Sequence, residues 1–358
     1  MEEPELLPRA ELLRMAPYSG PRTGRAGKMR LDFNENTVGC SPLVVAALRD
    51  RITQEGLAIY PEDNQASSVL ADFFEVSQEE LLLTNGTDEA IQLLMRTYVD
   101  SGQEVILLRP SFAGYRFFAE CAGARIKNVD PTGERLDFPL AGLLDAISPS
   151  TRAVLIANPN NPTGTAVDLH GITQILERSP AAAILVDEAY FEFCGITALP
   201  LIRQYRNLFV CRTFSKAYGL AALRLGCLFS CSGNIRYLRN AQAPFSVNAL
   251  AAFAAIAATQ DPAYVANYVQ EVRAALDLPR SGLSTLGIRY APSAANFLLV
   301  FFGDQSHEVC DALRKKGILV RDRSSEIPGA VRVTAGTRQQ AGEVLEILRQ
   351  VLLRHSSG

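Results

Sequence analysis

The sequence has few of the residues that build metal sites or disulfide frameworks. Its 358 residues include three histidines, His170, His307 and His355, which are too few and too scattered for a histidine-based metal centre or catalytic triad. The seven cysteines form no Cys-x-x-Cys pair, and an odd, scattered set is typical of reduced thiols. We therefore expect no metal and a cytoplasmic location.

Long apolar runs and blocks of basic residues are also missing. The longest wholly apolar run, Ala249–Ala258, is too short to cross a bilayer. The net charge is −3 and no Lys/Arg block exists, so a nucleic-acid or membrane partner is not expected. The acidic, polar start does not fit a secretory signal. The glycine-rich motifs of dinucleotide and nucleoside-triphosphate sites are both missing, which argues against a nucleotide as the ligand.

What the sequence does contain is an alternation of short apolar runs with amphipathic segments. From Leu43 onward, runs such as "ELLLT" and "AAILV" precede helix-period segments such as Thr87–Val99. This alternation predicts an α/β fold in which βα units surround a mostly parallel, buried sheet. After Asn248 strands and helices no longer alternate strictly, which indicates a smaller α+β domain.

The same change in the order of strands and helices suggests domain boundaries. We predict an N-terminal arm and part of the small domain over 1–40, with an irregular stretch at Tyr18–Met29. We predict a large domain over 41–255 and a small C-terminal domain over 256–358. A chain of this length is more typical of two domains than of one.

Polar residues follow the predicted strands, where ligands of open α/β sheets gather. After "ELLLT", the segment Asn85-Gly86-Thr87-Asp88 opens a helix and is suited to a phosphate or to an ordinary helix cap. Phe112 follows "EVILLR", where its ring covers a flat ligand or joins the core. The next strand is followed by "NPNNPTGT", whose side-chain amides are costly to bury without partners.

Two charged residues follow further apolar runs. Asp187 comes directly after "AILV", so its carboxylate should be dehydrated and in need of a cation or a strong donor. Lys216 follows "NLFVCRTFS", and Arg224 lies eight residues later. A buried lysine kept for its amine chemistry explains this placement. Together, a phosphate cradle, an aromatic cover, an acid and a lysine match the parts of pyridoxal 5′-phosphate.

The motifs in order resemble the fold-type I, pyridoxal-phosphate-dependent aminotransferases of class I/II. The set is "NEN", "YP", "NGTDEA", "PSFAGY", "NPNNPTG", "DEAY", "TFSKAYGLAALRLG" and "VRVTAGT", and it runs from Leu31 to Thr337. The greatest similarity is to the histidinol-phosphate aminotransferase family. This sequence departs from many relatives at Phe112, where a tyrosine is common, and at Thr37, where a proline is common.

The resemblance implies a role for each matching residue. Lys216 would form a Schiff base with the cofactor, Asp187 would pair with the pyridine nitrogen, and Tyr190 and Asn161 would bind the ring O3′. Lys216, Asp187 and Tyr190 are the expected catalytic residues. The cofactor phosphate would be held by Gly86, Thr87, Asp88, Thr213, Ser215 and Arg224, and by Tyr60 from the other subunit of a homodimer with shared active sites.

The resemblance also implies the substrate contacts and the reaction. Arg332 would bind the substrate carboxylate, Arg321 would be a second anion-binding arginine, and Asn36 is a further candidate substrate-binding residue. The expected activity is amino transfer from histidinol phosphate to 2-oxoglutarate, in histidine biosynthesis. Two alternatives on the same fold stay open, an aromatic amino acid aminotransferase and a threonine-phosphate decarboxylase.

Overall fold

The computed structural model describes residues 6–15, 23–62 and 64–355. Its strands are β1 Met29–Leu31, β2 Leu81–Thr84, β3 Glu104–Leu108, β4 Arg125–Val129, β5 Thr151–Ala157, β6 Ala183–Asp187, β7 Leu208–Thr213, β8 Gly226–Phe229, β9 Tyr290–Ala291, β10 Phe297–Phe301, β11 Ile318–Asp322 and β12 Ala330–Thr334.

The helices surround two sheets. They are α1 Ala10–Leu13, α2 Pro42–Arg51, α3 Gln54–Ala58, α4 Asn64–Phe73, α5 Gly86–Tyr98, α6 Ala113–Cys121, α7 Leu140–Ala146, α8 Leu169–Arg178, α9 Phe191–Cys194, α10 Ser232–Ala241, α11 Ala249–Thr259, α12 Pro262–Thr285, α13 Ser306–Lys315 and α14 Arg338–His355. Of the helices in the described residues, none has the length and apolar character needed to cross a membrane.

The larger sheet has seven strands in the order β2-β8-β7-β6-β5-β3-β4. Strands β7, β6, β5, β3 and β4 pair in parallel, and β8 runs antiparallel to both of its neighbours. Every residue of β6 and β7 is buried, as expected for strands covered by helices on both faces. The predicted mostly parallel α/β fold is confirmed.

The smaller sheet has five strands in the order β1-β11-β12-β10-β9. Strand β1 pairs in parallel with β11, so residues within the N-terminal segment 1–40 join the C-terminal strands. The other pairs are antiparallel. The α+β character expected after Asn248 is thus present. The predicted division at 255 falls inside the continuous helix α11 and stays a prediction.

The predicted irregular arm lies only partly within the described chain. Residues 18–22 of this arm are outside the described residues, and 23–28 form turns and bends before β1 begins at Met29. Arg25 anchors this segment, because its guanidinium donates to Asp32 at 2.8 Å and to Glu35 at 2.6 Å. This segment is therefore fixed against the residues of and beside the "NEN" motif.

Candidate active site

Most of the predicted site residues meet in one cavity at the carboxyl ends of the parallel strands. The cavity has a volume of about 200 Å³. The predicted residues that line it are Thr87, Asp88, Phe112, Asn161, Asp187, Tyr190, Thr213, Ser215, Lys216 and Arg224. Parallel strands bring these residues together because their carboxyl ends share one edge of the sheet.

Asp187 is the last residue of β6 and is buried beneath this cavity. The hydroxyl of Tyr115 donates to its Oδ2 at 2.7 Å, and the Ala189 N–H donates to its Oδ1 at 3.1 Å. Burial raises the pKa of Asp187, while these donors act in the opposite direction. The arrangement gives a carboxylate that is shielded from water and held in one orientation.

Lys216 follows β7 and points its amine into the cavity. Its Nζ donates to the carbonyl oxygen of Phe33 at 2.8 Å. Desolvation, together with the guanidinium of Arg332, lowers the pKa of Lys216 to about 8. A lysine with this pKa is present partly as the neutral amine near neutral pH, which is the form that acts as a nucleophile or a base.

An anion cradle lies at the start of α5. Gly86 has a φ of +74°, and a Cβ on this residue would lie 2.7 Å from Nη2 of Arg224. Arg224 donates to Asp88 at 3.0 Å and to the hydroxyl of Ser215 at 3.3 Å. Free N–H groups and the positive end of a 13-residue helix face the same space as this guanidinium. This combination suits a phosphate group.

Tyr190 connects the two sheets through its hydroxyl. The side-chain amide of Asn34 donates to that hydroxyl at 2.8 Å, and the hydroxyl of Thr334 donates to Oδ1 of Asn34 at 3.1 Å. Burial raises the pKa of Tyr190, so the phenol stays protonated. The phenol is therefore fixed in place by groups from β12 and from the segment after β1.

A second cavity of about 610 Å³ adjoins the first and shares Lys216, Asn161 and Tyr190 with it. The predicted arginines Arg332 and Arg321 line this cavity. They lie directly opposite each other on the antiparallel strands β12 and β11. Arg332 is buried and donates to Oδ1 of Asn161 and to the carbonyl oxygen of Asp32.

Among the described residues, Tyr60 and Asn36 lie outside both cavities. Tyr60 is 74% exposed and stacks on Phe245 with 4.7 Å between ring centroids. The amide of Asn36 donates to the carbonyl oxygen of Ala217 at 3.0 Å and accepts from the N–H groups of Val38 and Gly39. The polar atoms of the Asn36 side chain thus bind backbone groups, and these hydrogen bonds stabilise the loop next to Lys216.

Residues 26–348 match the family described as aminotransferase class I and II. The chain belongs to this family. A histidinol-phosphate aminotransferase of Geobacillus sp. (strain WCH70) is 38% identical over 332 residues, which cover 90% of each chain. A histidinol-phosphate aminotransferase of Bacillus subtilis (strain 168) is 37% identical over 336 residues, or 90% of this chain and 91% of that one.

Solved structures show the same fold. The histidinol-phosphate aminotransferase of Sinorhizobium meliloti in complex with pyridoxal-5′-phosphate has a TM-score of 0.88 at 23% identity, with 97% of each chain covered. A putative histidinol-phosphate aminotransferase of Erwinia carotovora atroseptica has a TM-score of 0.84 at 26% identity, covering 92% of this chain and 97% of that chain. This aminotransferase thus has the fold-type I architecture that its motifs indicate.

Several residues at this aminotransferase's site are not among those that the sequence predicts. Tyr115 lies in the first turn of α6, three residues after Phe112 in "PSFAGY", and this spacing is the only local signal for it. Asn34 is part of the "NEN" motif, but its contact with Tyr190 spans 156 residues of sequence. Arg323 lies two residues after Arg321, a spacing that returns a side chain to the same face of a strand.

Proposed function

We propose that this aminotransferase binds pyridoxal 5′-phosphate and transfers the amino group of histidinol phosphate to 2-oxoglutarate. The observation that carries the proposal is the cavity in which Lys216, Asp187 and an anion cradle meet beside two arginines of one sheet face. The similarity to histidinol-phosphate aminotransferases over 90% of the chain supports the choice of substrate.

The residues present fit the cofactor. The cradle at Gly86, Thr87 and Asp88 suits its phosphate, with added donors from Thr213, Ser215 and Arg224. Asp187 suits the ring nitrogen of the cofactor. Its carboxylate is buried and accepts two hydrogen bonds, so it would hold a proton on that nitrogen. Tyr190 and Asn161 would hold the ring oxygen, and Phe112 would cover one ring face. When bound, pyridoxal phosphate supplies an electron-accepting ring and an aldehyde that bonds to amines.

The chain's own contribution to the reaction is proton transfer and orientation. Lys216 would hold the cofactor through its amine, and when that amine is released in its neutral form it would take up the α-proton of the substrate and later give it up again. A pKa of about 8 keeps a useful share of Lys216 neutral near physiological pH. The buried carboxylate of Asp187 would hold a proton on the ring nitrogen of the cofactor, because water has little access there.

The two substrates place different anions at the same end of the site. Histidinol phosphate carries a phosphate ester one carbon beyond the carbon that bears the amine, and glutamate carries a carboxylate on that carbon. Arg332 would bind either anion, because its planar fork matches carboxylate and phosphate in two bonds. Arg321 would add charge for the phosphate. Its position directly opposite Arg332 supports this role.

We also propose a homodimer with shared active sites. Tyr60 is exposed on its own chain, and apolar side chains around it are exposed too, namely Ile52, Leu57, Ile59 and Phe245. A surface of this kind is typical of a protein interface. A second copy of the chain would cover it and would receive the Tyr60 hydroxyl at its cofactor phosphate.

We place the enzyme in the cytoplasm. All seven cysteines are free thiols, and they are buried or half-buried. Free thiols are typical of cytoplasmic proteins, whereas the cysteines of secreted proteins commonly form disulfides.

The test is a panel of amino donors with 2-oxoglutarate as acceptor. Histidinol phosphate should give the highest kcat/KM for glutamate formation, above phenylalanine, tyrosine and threonine phosphate. A preference for phenylalanine would move the assignment to aromatic amino acid aminotransferases, and CO2 release from threonine phosphate would move it to decarboxylases. Borohydride should fix the cofactor on the wild-type chain and leave Lys216→Ala unlabelled.

A further inference from the structure

A third arginine projects from the sheet face that carries Arg321 and Arg332. Side chains alternate along β11, so Arg321 and Arg323 share a face while Asp322 points the other way. Asp322 does so, because its Oδ2 lies 2.9 Å from Nδ1 of His307 on α13. The Arg323 N–H donates to the Ala330 carbonyl at 2.9 Å, which continues the β11–β12 register by one further pair.

All three arginines line the 610 Å³ cavity that also contains Lys216. The Arg323 side chain is only 9% exposed and forms an ion pair with Glu326 at 2.5 Å. Burying a guanidinium is costly unless an anion or a set of acceptors compensates it. The cavity is positive as a whole, since six cationic side chains face three carboxylates, those of Asp88, Glu120 and Glu326.

We propose that Arg323 binds the phosphate of the amino donor together with Arg321 and Arg332. It is a specificity-determining residue that favours a phosphomonoester dianion over a carboxylate at this end of the site. This inference rests on the proposed function and assigns one of its residues. A carboxylate offers two oxygens and one charge, which a single guanidinium fork satisfies. A phosphomonoester offers three oxygens and nearly two charges, which a set of arginines satisfies better.

Glu326 lowers the affinity of the site for anions. It lies in the same cavity and faces any anion that approaches Arg323, so it repels both substrates. The net attraction is larger for a dianion, because three guanidinium groups outweigh one carboxylate and both interactions grow in proportion to the ligand's charge. A singly charged carboxylate gains less from Arg323 and is held mainly by Arg332.

The experiment measures each half-reaction of the holoenzyme in four variants: Arg323→Gln, Arg323→Lys, Glu326→Gln and the control Arg314→Gln. Arg314 is an exposed arginine on α13 that lines neither cavity. Arg323→Gln should raise the KM for histidinol phosphate about tenfold, the order expected for a lost charge-assisted hydrogen bond. The KM for glutamate should rise at most about threefold, and kcat should change less than KM.

The other variants show whether charge or geometry causes the change in KM. Arg323→Lys keeps the charge but not the fork, so its KM for histidinol phosphate should lie between those of wild type and Arg323→Gln. Glu326→Gln should lower the KM for histidinol phosphate, because it removes a repulsive charge and leaves the guanidinium. Arg314→Gln should match wild type. Equal losses for histidinol phosphate and glutamate in Arg323→Gln, or a higher KM in Glu326→Gln, would overturn the proposal.

A second probe separates this inference from the proposed function. Binding of inorganic phosphate to the holoenzyme is measured by calorimetry, with the cofactor occupying the cradle at α5. Wild type should bind phosphate about tenfold more tightly than Arg323→Gln, even if histidinol phosphate proves not to be the donor. Equal phosphate affinity in the two folded proteins would overturn the role of Arg323, whatever the donor is.

Discussion

The hydroxyl of Tyr115 donates a hydrogen bond of 2.7 Å to Oδ2 of Asp187. Both side chains are buried, and the two residues, on α6 and β6, are 72 positions apart in sequence. Desolvation raises the pKa of Asp187, and the Tyr115 hydroxyl counteracts this effect because it stabilises the ionised carboxylate. Tyr115 therefore favours the ionised form of Asp187, which is the form that would hold a proton on a ring nitrogen.

Replacing Tyr115 with phenylalanine should weaken the binding of pyridoxal phosphate by about tenfold, since a hydrogen bond to a buried charge contributes on the order of 1.5–3 kcal/mol. The affinity is measured by fluorescence titration of the cofactor-free protein. Tyr205→Phe is the matched control, because it removes the same atom from a surface contact with Glu177 at 3.1 Å. Unchanged affinity in Tyr115→Phe would mean that Asp187 keeps its charge without this donor.

The lowered pKa of Lys216 makes the stability of the cofactor-free protein depend on pH. The folded-state pKa of about 8 lies below the ordinary value of 10.5, so the unfolded chain binds the proton more tightly. Lys216 therefore destabilises the fold below about pH 8, and this penalty is lost as the pH rises to 10.5. A shift of this size corresponds to roughly 3 kcal/mol at most.

Replacing Lys216 with methionine should accordingly stabilise the cofactor-free protein near pH 7, by up to roughly 3 kcal/mol. The difference from wild type should shrink as the pH rises above 8, which urea unfolding at several pH values measures. Lys127→Met is the control, because Lys127 also donates to a carbonyl oxygen but lies outside both cavities. A difference that stays constant with pH would contradict a titration of Lys216.

The Phe112 ring should stabilise the bound cofactor by contact with its face. The ring packs edge-on against Tyr115, with 5.5 Å between centroids, and lines the cavity. Phe112→Ala should weaken cofactor binding by roughly 1 kcal/mol or more, and Phe112→Tyr should preserve it. Equilibrium dialysis measures both. Wild-type affinity in Phe112→Ala would assign the ring to the core alone.

The proposal that Tyr60 acts in the active site of the other subunit can be tested by mixing two variants. Lys216→Ala and Tyr60→Phe subunits are mixed under conditions of confirmed subunit exchange. In each heterodimer one site then carries neither defect, so activity should exceed that of both parents. If activity does not rise although the Tyr60→Phe parent is impaired, Tyr60 acts within its own subunit.

The sequence by itself determined the alternation of strands with helices and the polar residues that follow several of the strands. These features depend on local patterns: continuous apolar runs produce buried strands, and parallel strands present their carboxyl ends at one edge. Asp187 and Lys216 could be predicted for this reason. That Arg321 and Arg332 lie on neighbouring strands was also predictable, because two apolar segments close in sequence commonly pair, whereas the register that places them opposite each other came from the structure.

Only the tertiary structure decided which side chains touch. The contact between Asn34 and Thr334 joins residues 300 positions apart, and no local pattern specifies such a pair. The same limit applies to Asn36, whose side-chain amide donates to the carbonyl oxygen of Ala217, 181 positions away in sequence. Side-chain direction depends on the packing of both sheets together, and periodicity along a single segment does not contain that information.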